Sequence, residues 1–457
     1  MNRGSDRGIV ARGVCCGVDL YRITVCLLLL ACRVAAATPE AALAEDHAKL
    51  AAEAEKLGLR EEAALAAHAA LRLAPEHVAA KALLEELGPV RVFEWPEPLH
   101  AKFVGWSKKR AGVRNAGAKK LATAATAAEK AGNADEAKRL RELAVAEDPD
   151  CAEARKAMGM EKVDVVGWVT KEEAAQRKKG LLPVGAEWLP AKDATARRAK
   201  WAEAWEVRSA HFLVRTNVSE KEGLAMAARA EELLVALRRE LDGATDPMPP
   251  RAAPYEIHSY ASRADLDAHI DTVHPGKAFL KSMAGFYSPQ DKTSHFCPLS
   301  EKAISTLEDI VRHEATHHLL SDLWPNGGVH FKPGFWAWEG IACYFETIEV
   351  RDGKILTGRA SHARLVTAKD DMQKGKFKTL EELAAADQSK LGSIYEQSAA
   401  LAHFFMHSEG GKKREKFVEY LKVASKGDGD AGTWEKCFGK KPADMQTEWL
   451  AYLKGLK

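Results

Sequence analysis

The 457-residue chain lacks three features that would each have settled a class. It lacks long apolar runs: the longest, ITVCLLLLAC at 23–32, spans about ten residues, whereas a helix that crosses a membrane needs about twenty. No transmembrane helix is therefore expected. It lacks charge of one sign. Its 67 basic and 65 acidic residues leave a formal charge of +2, and both signs alternate throughout, so no nucleic-acid partner is expected. Cysteine is sparse, with four of the eight at or before Cys32. The other four, Cys151, Cys297, Cys343 and Cys437, match no zinc-ribbon or zinc-finger spacing. They are either disulfide partners of undefined pairing or buried thiols.

What is present is an ordinary globular composition, 46% hydrophobic and 29% charged, long enough for two or three domains. Four arginines (Arg3, Arg7, Arg12 and Arg22) precede the apolar run, and the small residues of RVAAATPE follow it. Residues 1–37 thus read as an export signal cleaved after Ala37, which places the mature chain in the periplasm, cell envelope or outside the cell. The alternative is lipid anchoring at Cys32, because LLAC resembles a lipobox.

The expected fold class is α+β and helix-dominated. Residues 38–160 are rich in Ala, Glu and Leu, and two segments echo each other. Gly58, Ala63, Pro75 and Ala80 recur as Gly132, Ala137, Pro149 and Ala154, each 74 residues later. Small residues let helices approach, Gly ends one helix and Pro opens the next, a pattern that resembles tetratricopeptide-type helix pairs. Such a region is either a surface for a protein partner or a helical spacer. Residues 161–204 read as a linker with one small strand pair around Trp168. From 205 to 300 a small α/β part follows: a strand at 205–217, a helix at 220–241, and strands at 255–260 and 283–289. Residues 301–457 read as almost entirely helical.

The chemistry concentrates in LEDIVRHEATHHLLSDLW, residues 307–324. Helix positions four apart share a face, so His313 and His317 can turn imidazole nitrogens toward one ion. Glu314, beside the first, can reach a water on that ion. This is the logic of H-E-x-x-H: two zinc ligands and a general base on one helix. A third ligand is available in PGFWAWEGIACYFETIEV (333–350), read as a second helix after a Gly- and Pro-containing loop. Glu339 lies there, 22 residues after His317. Two histidines and one glutamate leave a fourth position open, the arrangement of a catalytic rather than a structural Zn2+.

HEATH followed by WAWEGIACYFE resembles the gluzincin clan of zinc metallopeptidases, and more narrowly the peptidase-MA-like domains of exported bacterial proteins. The resemblance covers roughly 205–457 and takes in HFLVRTN, GFY and the tail FGKKPADMQTEWLAYLKGL. It implies a second helix of the form EGxAxYxE, matched by Glu339, Gly340, Ala342, Tyr344 and Glu346, with Glu339 as the metal ligand. The chain departs from the gluzincin aminopeptidases, whose strand GxMEN binds the substrate's amino group. The corresponding MAGFYSP has no such glutamate.

The implied function is hydrolysis of a peptide or protein substrate, with Glu314 as general base. Related enzymes hold the oxyanion with a downstream tyrosine or histidine, for which SIYEQSAALAHFFMH (393–407) offers Tyr395, the preferred candidate, and His403. Glu346, two turns after Glu339, either bonds a ligand histidine or forms a surface ion pair. His318 points away from the ligands and reads as structural, as do Trp336 and Trp338. A different class of reading is a scaffold whose zinc site is structural or silent. A third is zinc-dependent hydrolysis of a non-peptide amide.

Overall fold

The chain is described by a computed structural model over residues 38–90, 95–298, 306–324, 329, 332–389 and 394–456. The signal-like segment 1–37, with Cys32, lies outside the described residues. Helix accounts for 64% and strand for 11%, an α+β, helix-dominated fold.

The N-terminal region is two echoing sets of three helices. The first is α1 (Pro39–Leu57), α2 (Arg60–Leu73) and α3 (Val78–Leu87); the second is α4 (Glu97–Lys130), α5 (Ala134–Glu147) and α6 (Ala152–Ala157). The echo is physical. Gly58 and Gly132 end α1 and the segment after α4 with φ of +82° and +80°, a left-handed conformation that glycine adopts without strain. Ala63 and Ala137 are both fully buried where the paired helices meet.

Residues 160–204 hold more order than one strand pair. Hairpin β1 (Met160–Val163) with β2 (Gly167–Thr170) leads into α7 (Lys171–Lys178). Hairpin β3 (Leu181–Val184) with β4 (Glu187–Pro190) leads into α8 (Ala191–Arg198). Each hairpin is closed alike, Lys171 N donating to Gly159 O and Ala191 N to Gly180 O. Ala174 and Ala194, twenty residues apart, are both fully buried. The signal was GWVTKEEA echoed by EWLPAKDA, a repeat too short and degenerate to stand out by periodicity.

The α/β part is one sheet of five strands in the order β5-β6-β7-β9-β8. The segment expected as one strand at 205–217 is a hairpin, β5 (Trp205–Arg208) and β6 (Phe212–Thr216). Its turn is held by Glu231, whose carboxylate accepts from His211 N at 2.8 Å and Ser209 Oγ at 2.7 Å. Helix α9 (Glu220–Asp242) crosses to β7 (Tyr255–Ser259), parallel to β6, and α10 (Arg263–Val273) crosses toward the hairpin β8 (Gly285–Ser288) and β9 (Thr293–Phe296). Strand β9 pairs parallel to β7 and leaves β8 at the edge. β9, not foreseen, reads TSHF and is buried on both faces, so it carries no alternation to detect.

The C-terminal part packs α11 (Leu307–Leu323) and α12 (Phe335–Glu346) among α9, the sheet and α15 (Tyr395–Gly411). All twelve residues of α12 are buried, as expected of a helix with apolar residues all round. It lies so close to α15 that a Cβ on Gly340 would stand 2.6 Å from Ser398 O. The hairpin β10 (Glu349–Arg351) and β11 (Lys354–Leu356) interrupts the helices, followed by α13 (Ala363–Gln373), α14 (Leu380–Ala384), α16 (Arg414–Ala424), α17 (Ala431–Phe438) and α18 (Pro442–Gly455). Cys151, Cys297, Cys343 and Cys437 are buried free thiols.

A buried ionic network joins the N-terminal helices to this part. Glu61 on α2 bonds Lys354 and Arg239, Glu62 bonds Lys354 at 2.6 Å, and Arg239 continues to Glu240 at 2.8 Å. Burial opposes the charge on Glu61, but Arg239 and Lys354 overcome it and hold the pKa below the ordinary carboxylate value. Removing one member leaves buried charge uncompensated. Glu61→Gln is expected to lower the unfolding free energy by about 3 kcal/mol, read as an earlier midpoint in urea titration.

Candidate metal centre

Helix α11 opens with a reciprocal cap: Asp309 N donates to Thr306 Oγ1, and Thr306 N to Asp309 Oδ2. Val311, Ala315, Leu319 and Leu320 bury one face in the core. His313 and His317, one turn apart, stand side by side with Nε2 atoms 3.2 Å apart. Glu339, on α12, closes the triangle, with Oε2 3.2 Å from His313 Nε2 and Oε1 3.5 Å from His317 Nε2. In a tetrahedral zinc site with bonds of about 2.0–2.1 Å, neighbouring donor atoms stand about 3.3–3.4 Å apart. Two imidazole nitrogens and a carboxylate at these separations fit such an ion without rearrangement.

The support around the triangle is specific. His313 Nδ1 bonds Glu346 Oε1 at 2.8 Å, and Glu346 is paired with Arg364, whose Nε stands 2.8 Å from Oε2. Glu346 thus fixes the tautomer that turns His313 Nε2 toward the triangle. Burial alone would raise the Glu346 pKa, but His313 and Arg364 bring it below the ordinary value. Glu339 is likewise held low: burial opposes the charge, and His317 and His313 outweigh it. His317 has no such bond. Its Nδ1 lacks a hydrogen-bond partner among the described residues, and Trp338 stacks on its ring at 5.6 Å instead.

His313, Cys343 and Glu346 form a second group within ligand distance, on the other side of the same imidazole. There Glu346 is already engaged by Arg364, and burial raises the Cys343 pKa to about 11, so the thiol keeps its proton. The Nε2 side is the better metal site, and it faces a cavity of about 440 Å³.

Glu314 and Tyr395 line that same cavity. Glu314 Oε2 accepts a hydrogen bond from Tyr287 N, on edge strand β8, at 2.9 Å. Tyr395, at the start of α15, has its ring 6.1 Å from that of His313. The Glu339 charge, then burial, raises its pKa, so the phenol remains a donor. His403 is elsewhere: Nε2 bonds Gly358 O at 3.0 Å and Nδ1 meets Tyr452 OH at 2.8 Å. It does not face the cavity.

His318 behaves as a structural residue. It is stacked on Tyr287 at 4.6 Å, and burial brings its pKa down to about 4. Trp336 packs among Phe405, Phe417 and Tyr420. Trp338, expected only to pack, lines the cavity as well. Arg364 and Tyr287 were not found from sequence. SHARLV and GFYSP carry no spacing that marks them, since both act across tertiary contacts.

The chain matches no protein-family model, and no curated protein matches it in sequence.

Glu346→Ala is expected to weaken zinc binding by about 10- to 100-fold, measured by competition with a chromophoric chelator. An unchanged affinity would show that the Glu346 bond to His313 does not orient a ligand.

Proposed function

We propose that the chain is a zinc metallopeptidase of the gluzincin kind, exported to the envelope or beyond, with His313, His317 and Glu339 as ligands. The observation that carries this reading is the triangle of two Nε2 atoms and one carboxylate in a cavity that Glu314 and Tyr395 also line. Three protein ligands leave a position for water, as catalytic sites do. The zinc would supply a Lewis acid that polarises the scissile carbonyl and acidifies a water.

The chain's own groups supply the rest. Glu314 takes the proton of the attacking water and delivers it to the leaving amine as the C–N bond breaks. The Tyr287 N–H steadies its other duty, which is to stay aimed at the cleft. Tyr395 donates its phenolic hydrogen to the oxygen that gains charge as the carbonyl becomes tetrahedral. Leu280, Met283, Phe286 and Trp338 make the cavity wall apolar, which suits a substrate with a large apolar side chain beside the scissile bond. The edge of β8 offers backbone groups to an extended peptide. Among the described residues, none of the N-terminal helices lines the cavity, which supports an open rather than a self-covered site.

The test pairs metal content with cleavage of a mixed peptide library. Zinc is expected in both the native chain and Glu314→Gln, with cleavage by the variant reduced about 10²- to 10⁴-fold. Cleavage sites are expected to be enriched in Leu, Phe and Met next to the broken bond. Zinc in both with no cleavage by either would favour a silent site instead. Tyr395→Phe is expected to lower kcat about 10²- to 10³-fold with KM little changed. An unchanged kcat would assign the oxyanion to another donor.

A further inference from the structure

A second cluster of ligating side chains lies outside the HEATH triangle. His269 is on α10, His274 just past its end, Asp291 in the β8–β9 turn and His295 on β9. One ligand atom from each lies within 4.8 Å of all the others. Three Nε2 atoms converge on a single oxygen, Asp291 Oδ2: His295 at 3.1 Å, His274 at 3.6 Å and His269 at 3.7 Å. These are again the separations of donors around one tetrahedral zinc, about 3.3–3.4 Å.

Hydrogen bonding alone does not account for the arrangement. The Nε2 atoms of His269 and His274 are buried and have no hydrogen-bond partner among the described residues. The side chain of His274 is only 1% exposed. Its Nδ1 stands 3.2 Å from Gln290 Oε1, an oxygen that Lys277 Nζ also approaches as a donor. That oxygen can only accept, so Nδ1 of His274 carries the hydrogen, and in the neutral ring Nε2 is a bare lone pair aimed at a carboxylate. His295 is held at both ends, its Nδ1 3.1 Å from Tyr260 OH and its Nε2 within hydrogen-bond distance of Asp291 Oδ2 at 3.1 Å. His274 is therefore oriented as ligand histidines are, with the far nitrogen hydrogen-bonded and the near one free.

We propose that His269, His274, Asp291 and His295 form a second transition-metal site, for zinc or an ion of like preference, closed by four protein ligands and therefore structural. It ties α10 to the β8–β9 hairpin. That hairpin carries the Tyr287 N–H that holds Glu314, and the segment after His274 carries Leu280 and Met283 of the cavity wall. The second ion thus fixes the wall against which a substrate would lie, a wall that includes His274 itself.

The test uses the purified full chain, stripped of loosely held metal and analysed for zinc per chain, with circular dichroism to check folding. Two zinc ions are expected in the native chain, one in His313→Ala/His317→Ala, and one in His269→Ala/Asp291→Ala. Cobalt loaded into His313→Ala/His317→Ala is expected to give the intense visible bands of a tetrahedral N/O site. One zinc in the native chain and none in His313→Ala/His317→Ala would overturn the proposal, even if the cluster variant failed to fold. One zinc that survives loss of His313 and His317 but not loss of His269 and Asp291 would keep this site and remove the HEATH one.

Discussion

The burial of two carboxylates between α11 and α12 is the constraint on which the centre depends. Glu339 and Glu346 are 6% and 1% exposed, and a buried anion is tolerated only with compensating charge and hydrogen bonds. Arg364 and the His313 ring answer Glu346. Among the described residues, the basic groups paired with Glu339 are the two imidazoles, so the need for positive charge is greatest where the Nε2 atoms converge. A divalent ion satisfies that need more fully than a proton shared among three groups, and this demand gives the proposed zinc site its physical basis.

Positioning of the centre extends well beyond its helices. Gly340 lets α12 come against the α15 backbone, which carries Tyr395 to the same cavity as Glu339. Strand β8, at the sheet edge, reaches Glu314 through one backbone N–H. The hairpin that contains β8 also carries Asp291 and His295 of the His269–His274–Asp291–His295 cluster. The sheet is therefore more than a platform, because its edge strand sets the direction of the general base in the proposed reaction. On the opposite side, Glu61 and Glu62 lock the N-terminal helices onto Lys354 and Arg239. The helical arm is thus docked by buried charge.

Local patterns were legible where one element carried the whole signal. Helix α9 was readable because its apolar residues recur at helical spacing between the Ser219 cap and Gly243. His313, Glu314 and His317 were readable because one helix turn places them together. Elements without internal contrast were not readable: β9 is buried on both faces, and the 205–217 turn depends on Glu231, twenty residues after His211 on the following helix. Trp338 packs in the core as read and also lines the cavity, which an aromatic residue on a buried helix gives no sign of in sequence.

The sequence by itself determined the helix-dominated class, the echo of the N-terminal helices and the pairing of His313 with His317, since each follows from spacing along one chain segment. It also offered Glu339, Glu346 and Tyr395 as candidates. Only the tertiary structure decided their distances from the histidines, because those depend on how closely α12 and α15 pack. It alone brought Arg364 to Glu346 and Tyr287 to Glu314. It alone gathered His269, His274, Asp291 and His295, which come from a helix, a helix end, a turn and a strand. Ligands scattered in this way share no period, so their chemistry exists only once the sheet and α10 have closed around them.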